Sequence, residues 1–295
     1  MSQTEHPAAV PFRGRQPRLT QAHVQERLLD TGSRMVAGAG LTVGLDHLRY
    51  EEVIVHAGVS RSAAYRCFPN KDAFHARLLC TLADSSWAGV AAFDAQTISV
   101  AVRTVVRRRA ELGTPDGRAA VMMDACRLAG ERNFRSLVTT PGWRTYIALN
   151  AALLSMPDGQ VKTDLAAALS RAETKFIDLM ASFYRAMGKV IGMRLRPEFG
   201  DDYRSMAALS AAVLEGLGLR HALNPGVTSA RFATAPFDIH GPDSAAADTE
   251  DADTDWSLGA IGYAAIISSM SEPDPDWEPS FLDPLDEMAA NFLLD

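Results

Sequence analysis

The residues with the most specific spacing in this chain lie between Arg49 and Phe74, RYEEVIVHAGVSRSAAYRCFPNKDAF. Gly58 separates two short apolar-periodic stretches, and Ser60 opens the second. Glycine takes the left-handed turn that most residues resist, and a serine ahead of a helix accepts one of its free amides. Arg61, Ser62 and Ala63 then fall on the first turn of the helix that Ser60 caps. These types suit base edges: arginine pairs bidentately with guanine, serine bonds a base or a phosphate, and alanine touches a thymine methyl. Tyr65, Arg66 and Lys71 suit phosphates, which fix register without carrying sequence information. The chemistry implied is non-covalent recognition of double-stranded DNA, not catalysis.

Helices must hold that constellation in place. The pattern predicts one from Leu45 to His56, braced by Val53, Ile54 and Ala57, with Val59 in the wedge. A second runs from Arg61 to Cys67. After a break at Pro69-Asn70, another starts at Lys71 and buries Phe74, Leu78, Leu79 and Leu82. A first helix, capped by Thr20, carries Val24, Leu28 and Met35 on its apolar stripe and ends at Gly38 and Gly40. A glycine-turned helix pair is also ordinary core architecture, so spacing alone leaves that alternative open.

Ala57-Gly58-Val59-Ser60, then Tyr65, Phe68 and Lys71, resemble the TetR family of bacterial transcriptional regulators, with order and spacing kept over about 50 residues. The resemblance implies an all-α chain: an N-terminal three-helix helix-turn-helix domain followed by a larger helical ligand-binding and dimerisation domain. It further implies a homodimeric repressor that a small-molecule effector releases from a palindromic operator. The segment AALSAAVLEGLGLRHALNP, 207–225, looks like the last dimerisation helix of many members. Cys67 stands where the family often has His or Tyr, and the loop GAGLTVGLDHLRY is longer than usual. Arg49 occupies the usual N-cap place of Thr and joins the expected DNA contacts, leaving Asp46 or Thr42 as the cap.

The chain divides accordingly. Residues 1–19 read as a flexible basic arm whose Arg13, Arg15 and Arg18 suit an adjacent minor groove. Residues 20–84 form the DNA-binding part, with the motif at about 49–68, and 85–231 the larger helical part. The latter has expected helices near 98–112, 117–138, 143–155, 161–195 and 202–223. Residues 232–295 read as an acidic extension with a loop at 236–255, a helix at 256–270, an irregular SEPDPDWEPSFLDP and a short helix at 286–294. No Val/Ile/Thr-rich alternation recurs, so no sheet is expected. The net charge of −7 hides a split: residues 1–80 hold ten Lys/Arg against seven Asp/Glu, and none of the former follows Arg231. Positive charge thus sits with the motif, as DNA binding requires. The run Arg107-Arg108-Arg109 reads as a solvated helix face.

Large apolar side chains outside the motif are candidates for an effector pocket: Trp87, Met122, Met123, Phe134 and Trp143, with Tyr146, Phe176, Met180, Phe183 and Tyr184. Ala207, Ala208, Ala211, Leu214 and Leu217 are expected at a dimer seam, where small residues let helices approach. Cys67, Cys80 and Cys126 lack metal-ligand spacing and suit a reducing cytoplasm. Neither a secretory signal nor a membrane-length apolar run is present, so no membrane partner is expected. With no phosphate-cradling glycine loop or nucleophile elbow, neither enzymatic activity nor a cofactor is expected. Two alternatives stand: an activator or ligand-independent regulator, and a helical ligand-binding or adaptor protein that binds no DNA.

Overall fold

The computed structural model describes residues 20–39, 45, 47–85, 93–233, 255–283 and 285. The arm with Arg15 and Arg18, the cap candidates Thr42 and Asp46, Trp87, nearly all of the acidic loop and the expected helix at 286–294 lie outside these residues. The fold is all-α, and among the described residues no helix is long and apolar enough to cross a membrane.

Helix α1 (Gln21–Ala39) starts where the sequence indicates, with the Thr20 hydroxyl accepting the His23 amide at 3.3 Å. Helix α2 (Tyr50–Ala57) is shorter than the expected span from Leu45. Leu45 and Leu48 are buried, but ahead of the helix, and the chain enters α2 through an extended Arg49 that caps nothing. Helix α3 (Arg61–Cys67) and helix α4 (Lys71–Ser85) follow as expected, and Asn70 Oδ1 caps α4 by accepting the Ala73 amide at 2.8 Å.

Helix α5 (Ala95–Arg107) does not run to residue 112. Arg108 leaves helical geometry at φ −101°, ψ 18°, and its guanidinium grips the Glu111 carboxylate at 2.7 and 2.6 Å. A 3-10 turn over Arg109–Gly113 leads into helix α6 (Pro115–Thr139), then helix α7 (Pro141–Ser155) and helix α8 (Gln160–Ile191). The expected helix to residue 195 stops at Gly192, φ 81°. A Cβ there would lie 2.3 Å from Arg118 Cδ and 2.7 Å from the Trp277 ring, so glycine is required twice over.

Beyond Gly192, Met193–Leu195 (β1) pairs antiparallel with Ser271–Pro273 (β4). Helix α9 (Tyr203–Leu223) and the single turn α10 (Pro225–Thr228) lead to Arg231–Phe232 (β2), which pairs with Trp256–Ser257 (β3) ahead of helix α11 (Leu258–Met270). These ribbons correct the expectation of no strand and of an irregular stretch from Ser271. They are only two or three residues long, too short for apolar alternation to register in sequence. The buried Arg118 guanidinium ties the end of α8 to the chain just after β4 by donating to the carbonyls of Gly192 at 3.1 Å and Asp274 at 3.2 Å, while lying 5.1 Å from the Trp277 ring centre.

Two apolar cores result. The first joins α1–α4 with Leu149 of α7 and Leu165, Ala168 and Leu169 of α8. The second is built from α5, α6, α8, α9 and α11. Helix α11 lies along α6 and α9, and this overturns part of the dimer expectation. Ala207, Ala211 and Leu214 are 0%, 9% and 2% exposed within one chain, so they close its own core. Ala208 is exposed and Leu217 half-buried.

Candidate nucleic-acid interface and internal cavity

A seven-residue helix such as α3 has too few hydrogen bonds to stand alone, so its environment must hold it. At its start, the Ser60 side chain accepts the Ala63 amide at 3.3 Å. Gly58 makes the left-handed turn at φ 62°, ψ 34°, and its amide returns to the α2 carbonyls. Beneath, Ala64 is fully buried against Val53, Ile54 and Ala57, which are all buried as the brace requires. Tyr50 locks the two helices together. Its hydroxyl donates to the Ala64 carbonyl at 3.0 Å, and its ring stacks on Phe74 at 4.7 Å and meets Tyr65 edge-on at 5.5 Å. Burial pushes this phenol's pKa far above the ordinary value, so it stays a neutral donor. From α1, the Gln21 side chain reaches the Arg66 carbonyl at 3.4 Å, and the Cys67 thiol returns to the Gln21 carbonyl at 3.6 Å.

The outer face of α3 is polar and exposed: Ser60, Arg61, Ser62, Tyr65 and Arg66 all face solvent, with Ala63 half-buried. Arg49, Tyr65 and Lys71 share one shallow recess beside α2, together with Glu51 and the 75%-exposed Val55. Of the expected contacts, Arg49, Tyr65 and Lys71 thus share this recess, and Arg61 meets Tyr65 beside it. Two of them are held by a residue the sequence reasoning passed over. Glu51 Oε1 accepts both the Arg61 guanidinium at 2.8 Å and the Tyr65 hydroxyl at 2.6 Å. Arg61 also lies 5.8 Å from the Tyr65 ring centre. Arg49 pairs with Glu52 at 3.3 Å, and Arg66 bonds the Ser62 carbonyl of its own helix at 3.2 Å.

The second core holds a partly open cavity of about 80 Å³. Of the expected pocket residues, Met122, Phe183 and Tyr184 line it. Phe134, Phe176 and Met180 are packed elsewhere in the same core, and Met123 lies partly buried against it. Trp143 and Tyr146 sit apart in a cluster with Leu137. The lining that was missed includes Cys126, Met187, Tyr203, Met206, Tyr263 and Ile267. Part of it has a sequence signal: Tyr184, Met187 and Ile191 recur on one helical face, as do Tyr263 and Ile267. The wall is almost wholly apolar. Its polar groups, besides Thr97, Tyr203 and Ser271, include a buried pair in which the Tyr263 hydroxyl donates to the Tyr184 oxygen at 3.0 Å. Burial raises both phenols and pushes the Cys126 thiol up to about 12, so none of the three carries charge at neutral pH. Arg194 reaches the rim, but its charge is met by Glu272 at 2.9 Å.

Among the described residues, no group of three His, Cys, Asp or Glu is placed to hold a metal ion. No family model, curated protein or solved structure matches this chain.

Proposed function

We propose that the chain is a DNA-binding transcriptional regulator of TetR type, a homodimeric repressor that places α3 in the major groove of a palindromic operator. The observation that carries this reading is the seating of α3. A capped seven-residue helix rests on a left-handed glycine turn and a buried tyrosine lock, with Arg61, Ser62, Tyr65 and Lys71 exposed and Tyr65 and Lys71 in one recess. A helix that only closed a core has no need of that cationic outer surface. A second copy reads the second half-site. Its seam falls on exposed positions of α9 such as Ala208, Leu209, Leu219 and Leu223, since the inner face of α9 is occupied.

The effector in this proposal is a small neutral apolar molecule in the cavity. The largely apolar wall, whose Arg194 is already paired with Glu272, disfavours ions, and the tyrosine pair offers a hydrogen-bonding point. Helix α8 links effector to reader, because it carries Tyr184 and Met187 at the cavity and Leu165 and Leu169 in the α1–α4 core.

The test begins with selection of a preferred duplex from a random pool, followed by gel shifts. Arg61→Ala and Tyr65→Phe should each weaken binding to that duplex. Failure to select any palindrome would favour an adaptor or ligand-binding role without DNA, and unchanged affinity in both variants would remove α3 as the reading helix.

A further inference from the structure

Three buried hydroxyls carried by three helices meet at the apolar cavity: Tyr184 of α8, Ser210 of α9 and Tyr263 of α11. The two phenols line it, and Ser210 is fully buried beside Tyr184. A phenol has one hydrogen to donate and an oxygen that accepts. The 3.0 Å bond from Tyr263 to the Tyr184 oxygen therefore spends one of the pair's two hydrogens. The Tyr184 hydrogen is left over. Ser210 does not take it, since its oxygen has no partner at hydrogen-bond distance, and no other described residue accepts from Tyr184.

The surrounding wall has hydrogens to give and few places to put them. Cys126 lines the same cavity, and burial keeps its thiol protonated. The carbonyl of Ile267, another lining residue, is taken by the Ser271 hydroxyl. Arg194 at the rim is a donor only, and Glu272 meets it at 2.9 Å. A buried donor without an acceptor is rare in folded proteins, because it has given up its bond to water for nothing. An oxygen brought by a ligand completes the count here. An alcohol or amine would add a further hydrogen, whereas a ketone or ester adds lone pairs alone.

We propose that the cavity takes an uncharged ligand bearing an acceptor oxygen and no donor, of the small ketone or ester class, with the Tyr184 hydroxyl donating to that oxygen. Every phenol hydrogen in the chain Tyr263–Tyr184–ligand then has an acceptor, and the donation from Tyr263 polarises Tyr184 into a stronger donor. The cavity of about 80 Å³ is near half of the roughly 150 Å³ that accommodates benzene, so about three to five heavy atoms fit inside. If the cavity is the effector site proposed above, on which this ligand class rests, the contact falls on α8, the helix that also places Leu165 and Leu169 in the α1–α4 core.

Methionine-methyl NMR of the full chain tests this, because Met122, Met187 and Met206 line the cavity and report on its contents. The probes are butanone and its isostere 2-methylbut-1-ene, in which a methylene replaces the oxygen. Butanone should shift the three methyl signals saturably. The alkene leaves water more readily, so the response to a variant decides, not the raw affinities. Tyr184→Phe should weaken butanone about two- to tenfold, the worth of one hydrogen bond, and leave the alkene within about twofold. Infrared spectra of carbonyl-labelled butanone need no variant: the bound band should lie below its frequency in hexane. Equal weakening of both probes, or a hexane-like band, would overturn the proposal while leaving the cavity an apolar ligand site. Butyrate binding tighter than butanone would also overturn it, and would move recognition to Arg194. No shift with any probe would overturn the ligand reading of the cavity as well. None of these readouts involves DNA, so they are separate from the operator test.

Discussion

Glu51 holds the two residues on which the proposed operator reading most depends, and in that proposal releasing them should strengthen DNA binding. Its Oε1 accepts Arg61 at 2.8 Å and Tyr65 at 2.6 Å, so neither side chain can reach a base or phosphate without leaving it. All three groups are on the surface, with Arg61 and Glu51 side chains 71% and 49% exposed. An exposed pair of this kind shifts an equilibrium by about two- to fivefold. Two protomers on one palindrome break it twice, so the gain squares to about four- to twenty-five-fold. Glu51→Gln keeps size and an acceptor while removing the charge that competes with phosphate. Fluorescence anisotropy on the selected duplex at fixed salt should show tighter binding by that factor. In an Arg61→Ala background most of the gain should vanish, because the competitor no longer has its main captive. Weaker binding by Glu51→Gln would mean that the carboxylate orients Arg61 productively, or itself accepts from a base. An equal gain in both backgrounds would reduce Glu51 to long-range repulsion. Either result refutes the competition.

Lys71→Ala should weaken all duplexes alike and lower the slope of log affinity against log salt by about one per protomer; a change confined to one sequence would make Lys71 a base contact. Gly192→Ala should destabilise the fold by about 2 kcal/mol or more, since it adds left-handed strain to a clash with Arg118 and Trp277, and an unmoved urea midpoint would contradict the tight seat. Glu215, held up to about 7 by burial and then by Glu173, should make stability depend on pH. Its folded pKa lies above its unfolded value near 4.5, so the contribution is full below about pH 4.5 and is lost as pH rises through 7. Glu215→Gln should abolish roughly 1–3 kcal/mol of that difference between pH 5 and pH 8, and a parent whose urea midpoint is flat across this range would exclude the effect.

The α1–α4 part was legible because its signals are local. Thr20, Gly58, Ser60 and Asn70 each act within three or four residues of their own position, and the buried set Val53, Ile54, Ala57, Phe74 and Leu78 follows a helical period. The Glu51–Arg61–Tyr65 cluster was not legible, because it joins side chains 10 and 14 residues apart across a turn. The cavity was only partly so. Tyr184 and Tyr263 meet across 79 residues, and nothing in either segment names the other. The dimer expectation failed at Ala207, Ala211 and Leu214 for a related reason. Small residues on a helix announce a close neighbour, not which one, and here the neighbours of α9 are α6, α8 and α11 of the same chain. Gly262 of α11, where a Cβ would lie 2.6 Å from Val213, marks how close that packing is.

The size of the cavity decides what an effector must do. At about 80 Å³ it is well below the roughly 300 Å³ of a typical ligand site. A molecule of more than a few atoms must therefore extend through its open side or displace its walls. Met122, Met187 and Met206 give way at low cost, and α8 is the lining helix that also enters the α1–α4 core. From Tyr184 to Leu165, that helix runs 19 residues, or about 29 Å. A tilt of about 3° over that length moves the Leu165 end by about 1.5 Å, and Leu165 and Leu169 are packed into the core that seats α3. Both half-sites of an operator must be met at a fixed spacing of about 34 Å, so a displacement of that size at each α3 counts against the bound geometry. A ligand small enough to fit without moving α8 binds both geometries equally and shifts neither, however tight it is. In the proposed repressor, then, induction follows from the volume by which a ligand exceeds the cavity, not from affinity for it.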